Sequence, residues 1–335
     1  MTLRLKYFST QPLYKGATLR LHFLNVKNGD CSIIEHSTGN TTVIDISNGK
    51  EDDSRLLLEA LGLESASQGN YHQKNNPENP ISYLKNLNKK SIMRFILTHP
   101  DMDHMDGLKA LFKNFSVANF WNTKNNKTIP TFEYFGFNKE DWQFYQTLKK
   151  STENPKTLHL TDENNHGEDD GLYILAPTKN IIEQANRTGN YNELSYVILW
   201  ITNGFKIMIS GDSENLAWQY IIENYSGFVS DIDVLLAPHH GRNSNRDFSF
   251  LDILKPKYTL LGNAKSEHLE YSKYKKYGKT ITNNQGGNII LEVDKDGLNI
   301  LIENYNFAKD NHNMNGLHEK KIANKTYYYM DIISG

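Results

Sequence analysis

Two histidines and three aspartates fall within the short stretch His99-Pro100-Asp101-Met102-Asp103-His104-Met105-Asp106. Imidazole and carboxylate are the side chains that bind divalent metals. Repetition at this spacing lets several of them converge on one point. A polar loop capping a helix needs one such residue at its N-cap, Asp101 or Asp103, not five. Three further places carry the same residue types directly after an apolar run. Asp212 follows Phe205–Gly211, the pair His239-His240 follows Val234–Pro238, and Asp45 follows Thr41–Ile44. Arg242, Asn243 and Ser244 come immediately after the histidine pair. An arginine there suits an anionic oxygen, because its donors form a fixed fork that matches phosphate.

The elements around these residues are read from apolar runs and turn signals. Ile92–Leu97 predicts a buried strand and Leu108–Phe112 a helix, so the His99–Asp106 stretch is a strand-to-helix loop at a sheet end, where open α/β sheets place chemistry. Strands are expected at 19–26, 31–36, 41–45, 117–121, 172–177, 205–212, 231–237 and 257–263, with a strand, turn and strand over 280–291. Helices are expected at 53–61, 81–87, 139–150 and 213–224. Residues 122–170 read as an insertion. Its aromatic stripe (Phe132, Tyr134, Phe135, Phe137, Trp142, Phe144, Tyr145) predicts packing before base stacking, and His159 and His166 are expected at the surface.

Composition sets bounds. The chain has 335 residues, a formal net charge of -2 and a single cysteine, Cys31. The charge argues against a generally basic nucleic-acid binder while leaving room for a local basic groove. One cysteine excludes an internal disulfide framework and a thiolate zinc site, in keeping with a cytoplasmic location. No apolar run approaches a membrane span, and no signal peptide is expected.

The sequence His99-x-Asp101-x-Asp103-His104 followed by a glycine resembles the metal-binding motif of the metallo-β-lactamase fold. An aspartate stands where most members have the second histidine, and in this the chain is similar to the soluble C-terminal domain of the competence channel ComEC and its stand-alone relatives. Val26–Asp30, Ile44–Gly49, Asn192 with Ser195, Val234–Gly241 and Thr280–Ile289 match that group's pattern in order, over about residues 19–300. Two departures stand out: the glycines after Asp45 are incomplete, and Leu269 replaces the proline expected after His268.

The resemblance implies an α+β fold, a metallo-β-lactamase αββα sandwich of two mixed β-sheets flanked by helices. It implies a hydrolase domain over 1–305 with the insertion at about 122–170, and a C-terminal extension over 306–335. It implies two divalent metal ions, Mn²⁺ or Zn²⁺ with Mg²⁺ as a third candidate. Their ligands would be His99, Asp101, Asp103, His104, Asp212 as the bridge, and His240. Asp45, Asn192 and His239 are expected as ligands or as residues that support the ligands. One of His239 and His240 should bind metal, with His240 favoured. Asp103 and His240 are expected to serve catalysis, and Arg242, Asn243, Ser244 and His268 to contact substrate. Aspartate and asparagine at two positions that are histidine in zinc lactamases favour harder ions and phosphate oxygens. The expected function is therefore a two-metal phosphodiesterase or nuclease acting on DNA or nucleotides. The alternatives are a thioester or lactone hydrolase, and a non-enzymatic metal-binding scaffold of the same fold. Lys255, Lys257, Lys265, Lys273, Lys275, Lys276 and Lys279 are a candidate track for a nucleic-acid backbone, and Tyr327–Met330 in the extension is a candidate partner contact.

Overall fold

The computed structural model describes residues 19–50, 71–128, 137–164, 166–264 and 268–335. The expected helix at 53–61, Phe132, Tyr134, Phe135 and Lys265 lie outside the described residues. Among those described, the chain forms two mixed sheets packed face to face, with helices on both outer faces. The expected αββα sandwich is the observed architecture.

The first sheet runs β15-β16-β14-β13-β1-β2-β3-β4-β5-β6 and the second β12-β11-β10-β9-β8-β7. In the first, β1 (Leu19–Phe23), β2 (Ser32–Glu35) and β3 (Thr41–Ile44) are antiparallel neighbours, while β4 (Ser91–Ile96), β5 (Ser116–Trp121) and β6 (Lys156–Leu158) continue from β3 in parallel. In the second, β7 (Leu172–Ala176) and β8 (Val197–Thr202) are antiparallel. β9 (Phe205–Ile209), β10 (Val234–Leu236), β11 (Tyr258–Leu261) and β12 (Lys279–Thr282) are parallel. Parallel strands deliver their C-terminal ends to one edge. The loops after β3, β4, β9 and β10 therefore open on the same rim.

Alternation along the strands divides the core. Phe23, Ile34, Ile44 and Ile96 meet Ile198, Ile209, Val234 and Leu260 between the sheets. Their neighbours Ile33, Val43 and Phe95 face outward, onto α1 (Pro80–Asn86), α2 (Leu108–Asn114) and α3 (Lys139–Leu148). On the other outer face Leu199, Met208 and Leu235 pack under α5 (Asn215–Val229), while α4 (Lys179–Thr188) lies before β8. Each fully buried Leu or Ile contributes about 1.5–3 kcal/mol. Strands covered on both faces are why the sequence shows near-continuous apolar runs here.

Residues after 305 continue within the same sheet. A helix at Tyr305–Asn311 is followed by β15 (Glu319–Ile322) and β16 (Lys325–Ile333), and β16 pairs with β14 (Leu298–Ile302), which pairs with β13 (Ile289–Val293). Tyr327 is fully buried, and its hydroxyl meets that of Tyr83 at 2.9 Å. This tyrosine, read as a candidate partner contact, is committed to the protein's own core. No helix among the described residues is long and apolar enough to cross a membrane.

A buried polar knot joins the sheets away from the rim. Arg94 Nη2 donates to Asp170 Oδ2 at 2.5 Å, and His36 Nε2 lies 2.8 Å from Thr42 Oγ1. Burial, opposed by Asp170 and aided by Arg94, pushes the His36 pKa down to about 4. The unfolded chain binds a proton there below about pH 6.5 and the folded chain does not until about pH 4. Stability must therefore fall as pH drops through this window, by at most about 3 kcal/mol. Urea denaturation of wild type and His36→Gln at pH 7 and pH 4.5 checks this, the variant showing the flatter pH dependence.

Candidate metal centre

Four loops from both sheets build the site. After β3, Asp45 adopts a left-handed backbone (φ 57°) and turns its carboxylate under the next loop. Asp45 Oδ1 accepts from Thr98 N at 2.8 Å, and Oδ2 accepts from Thr98 Oγ1 at 2.6 Å and faces His104 Nδ1 at 2.8 Å. One buried carboxylate thus fixes the loop after β4 and one ring on it. After β9, Gly211 and Asp212 bring a carboxylate to the same point. After β10, His239, His240 and Gly241 take three successive positive φ values, 52°, 57° and 87°. Left-handed backbone at two histidines costs of order 1–3 kcal/mol each and persists where surrounding contacts over-determine it. Arg246 supplies such contacts. Its guanidinium donates to Ser213 O at 2.8 and 3.1 Å and to Arg242 O at 3.2 Å, tying the Asp212 loop to the histidine loop.

The resulting geometry centres on Asp212. Its Oδ1 lies 3.4 Å from His104 Nε2 and 3.8 Å from His240 Nε2. Its Oδ2 lies 3.5 Å from His239 Nε2 and 3.8 Å from His99 Nε2. One carboxylate thus presents each oxygen to a different pair of imidazoles. Every one of the four rings is also held from behind at Nδ1: His104 by Asp45 at 2.8 Å, His240 by Asp30 at 3.0 Å, His239 by Ser244 Oγ at 2.7 Å and His99 by Thr98 Oγ1 at 3.1 Å. This is the arrangement that orients imidazole toward a metal. Both rings of the pair reach the site, and His240, the one favoured as a ligand, is the one that falls within the compact donor groups.

The electrostatics match. Burial opposes ionisation of Asp212, but His104 and His240 more than compensate and hold its carboxyl well below the usual range. Burial works against charging His104 as well, and Asp212 with Asp45 carries its pKa well above the ordinary value. Burial lowers the pKa of His99, and His104 beside it adds to this. Burial brings His239 down to about 4 against the pull of Asp212.

The donor set fits divalent ions. His99 Nε2, His104 Nε2 and Asp212 Oδ1 are buried and make no hydrogen bond. Buried polar atoms rarely stay unpaired without a ligand to satisfy them. Among the described residues, three groups have their ligand atoms within 4.8 Å of one another: His99, His104 and Asp212; Asp103, His104 and His240; and Asp30, Asp212 and His240.

The other expected site residues sit at the margin. Asp101 is 3.9 Å from His99 Nε2, and its carboxylate is ion-paired with Lys127. The Asn192 amide donates to Glu214 Oε1 at 3.3 Å. Arg242 has a buried Nε with no hydrogen bond. Asn243 Nδ2 donates to Glu270 Oε1 at 2.6 Å, Ser244 stands behind His239, and His268 is exposed, its carbonyl accepting from Asn243 N at 3.0 Å. The expected lysine track is partly neutralised: Lys257, Lys276 and Lys279 pair with Asp233, Asp252 and Asp331 at 2.8, 3.2 and 2.7 Å.

Sequence reasoning missed Asp30, Arg246 and Lys127. Asp30 reads as part of a turn, Asn28-Gly29-Asp30, and only the fold brings it to His240. Gly29 is the signal that could have pointed there. Its φ is +78°, and a Cβ on it would lie 1.8 Å from the carbonyl oxygen of Asp103. The turn therefore rests directly on the ligand loop. Gly29→Ala is expected to cost about 2–3 kcal/mol of stability and to displace Asp103, read together by thermal unfolding and by metal content.

No protein-family model matches the chain. It is 23% identical over 248 residues to ComE operon protein 3 of Bacillus subtilis (strain 168). The resemblance read from the motifs holds. The match takes in 70% of this chain and 30% of that protein, so the chain spans under a third of its relative's length. Among solved structures, CmlA, a diiron β-hydroxylase from Streptomyces venezuelae, is similar at 11% identity and TM-score 0.47, covering 83% of this chain and 54% of that one. A diphosphatase from the PhnP family is similar at 11% and 0.39, covering 82% and 99%. A metallo-β-lactamase motif mutant from Cronobacter sakazakii is similar at 12% and 0.31, covering 69% and 80%. At these scores the three likenesses carry no functional weight.

Proposed function

We propose that the protein is a metal-dependent phosphodiester hydrolase whose centre is built for two divalent ions. The observation that carries this reading is Asp212, whose two oxygens each face a separate pair of histidines held in place from behind. A carboxylate so placed suits a bridge between ions, with Asp103, His104 and His240 on one side and His99, Asp101 and His239 on the other. Ions bound there supply Lewis acidity, polarising a phosphoryl oxygen and acidifying water.

The chain's own groups do the rest. Asp103 stands beside His104 and His240 and accepts a hydrogen bond from the attacking water, orienting it. His239 is the one ring of the four with appreciable exposure, 18% against 0–2% for the others. A substrate reaches it first. Ser244 fixes that ring. Arg242, directly after the histidine pair, is the guanidinium that would bind a phosphate oxygen as a charge-assisted pair. The carboxylate donors Asp101, Asp103 and Asp212 favour Mn²⁺ or Mg²⁺ beside Zn²⁺. Pairing within the lysine row weakens the case for a long backbone track and favours a nucleotide or a short single-stranded end.

The test is turnover of bis-p-nitrophenyl phosphate, dinucleotides and single- and double-stranded DNA by metal-stripped protein given Mn²⁺, Mg²⁺ or Zn²⁺. The Asp103→Ala/His104→Ala variant is the control. Cleavage that vanishes in the control supports the reading. Metal-loaded protein that cleaves none of them and turns over a thioester or lactone would sink it.

A further inference from the structure

The two sides of the metal centre are not equivalent, and the difference lies in a lysine. The Lys127 ammonium is ion-paired with Asp101 Oδ1, and its Nζ also lies 5.3 Å from the centre of the Tyr191 ring. Lys127 is mostly buried, at 16% side-chain exposure. The loop that carries it is laced to its surroundings. Asn126 N donates to Asn186 Oδ1 at 2.9 Å, Asn186 Nδ2 donates to Lys124 O at 3.0 Å, and Tyr191 OH donates to Asn126 Oδ1 at 2.9 Å. On the other side Asn125 Nδ2 donates to Tyr145 OH at 2.7 Å, and Lys149 Nζ donates to Asn125 O at 3.0 Å. A long flexible side chain is thus presented from a fixed base, with an aromatic face beside its charge.

A second observation points the same way. Among the described residues, none of the compact groups of potential ligands contains Asp101, whereas Asp103, His104, His240, Asp30 and Asp212 fall within them. A divalent ion approaching Asp101 meets an ammonium already on that carboxylate, at a separation where like charges repel strongly in a partly buried setting. Among the described residues, neither Asp103, His104 nor His240 is ion-paired with a lysine or arginine.

We propose that Lys127 is a built-in cation that occupies the Asp101 side of the centre, so that divalent ions enter in two unequal steps. The first goes to Asp103, His104, His240 and Asp212. The second is taken on the His99 and Asp101 side only as Lys127 is displaced. This rests on the metal-centre reading above, and it names the residue that regulates how far that centre fills.

The test is ion binding, independent of turnover. Mn²⁺ and Zn²⁺ are titrated into the metal-stripped full chain by equilibrium dialysis with elemental analysis, and electron paramagnetic resonance follows the Mn²⁺ series. Wild type, Lys127→Met, Lys127→Arg and the neighbouring Lys124→Met are compared, each checked for folding by circular dichroism. Wild type and Lys124→Met should bind one ion tightly and a second at least tenfold more weakly. Lys127→Met should strengthen the second step at least tenfold and show a spin-coupled Mn²⁺ pair at two equivalents. Lys127→Arg should keep the two separated steps. Two ions of equal affinity in wild type, or two separated steps unchanged in Lys127→Met, would overturn the role of Lys127 and leave the hydrolase reading standing. No ion bound by any of the four would overturn both.

Discussion

Asp212→Asn will strip the centre of ion binding and lower turnover by on the order of 10³-fold or more, ~4 kcal/mol of transition-state stabilisation. The shape of the side chain is kept, but one oxygen becomes a donor and the charge is lost. Either rotamer of the amide turns hydrogens toward a histidine pair whose Nε2 atoms lie 3.4–3.8 Å away. Elemental analysis after dialysis against Mn²⁺ or Zn²⁺ is the direct check. Wild-type ion content in the variant would show that the carboxylate is not shared.

The same substitution has a pH-dependent cost in the metal-free protein. The depressed Asp212 pKa contributes stability above about pH 3.8 and loses it as pH falls through the folded value. The raised His104 and His240 values contribute below about pH 6.5 and are lost as pH rises through the folded values. The stability gap between wild type and Asp212→Asn is therefore widest between about pH 4 and about pH 6.5; it narrows below this range and, toward the raised histidine values, above it. Chemical denaturation across that range measures it.

Asp45→Ala comes next in expected effect. Asp45 never faces the Nε2 atoms of the centre, yet it holds Thr98 N, Thr98 Oγ1 and His104 Nδ1 at 2.6–2.8 Å. Its removal leaves buried donors unpaired and frees one ring. Breaking a buried pair of this kind costs about 3–5 kcal/mol, and loss of the group behind a ligand histidine costs about 10–100-fold in metal affinity. Asp45→Asn should recover part of the stability, since an amide oxygen can still accept from Thr98, but little of the affinity. Equal affinity in both variants and wild type would show that His104 is oriented by other contacts.

What the sequence shows of this molecule follows from where it is buried. The strands after which the ligands come are covered on both faces toward their C-terminal ends, so Ile92–Leu97, Phe205–Ile209 and Val234–Leu236 stand out as apolar runs, and the polar residues following them mark the rim. His99, Asp103, His104 and Asp212 are close to these ends and legible for that reason. Asp30 is not, because its partner His240 is 210 residues away and nothing local to a turn records a distant imidazole. Lys127 is hidden for a different cause. It lies in a stretch whose periodicity suggests only an inserted loop, and its position is set by asparagine side chains bonding to backbone, which leave no pattern. The strands Lys156–Leu158 and Lys325–Ile333 leave no clear pattern in the sequence either. The first is three residues long at a sheet edge, and the second buries only every third residue along a bulged register.

The centre draws Asp45, His99 and His104 from the first sheet and Asp212, His239 and His240 from the second. An ion bound among them acts as a rivet across the seam of the sandwich. The layers cannot part at that rim without first giving up the ion, so chelation should speed unfolding more than it slows refolding. Hydrogen exchange along β4 and β9 should rise together when the ion is removed, since both strands are clamped by the same bolt.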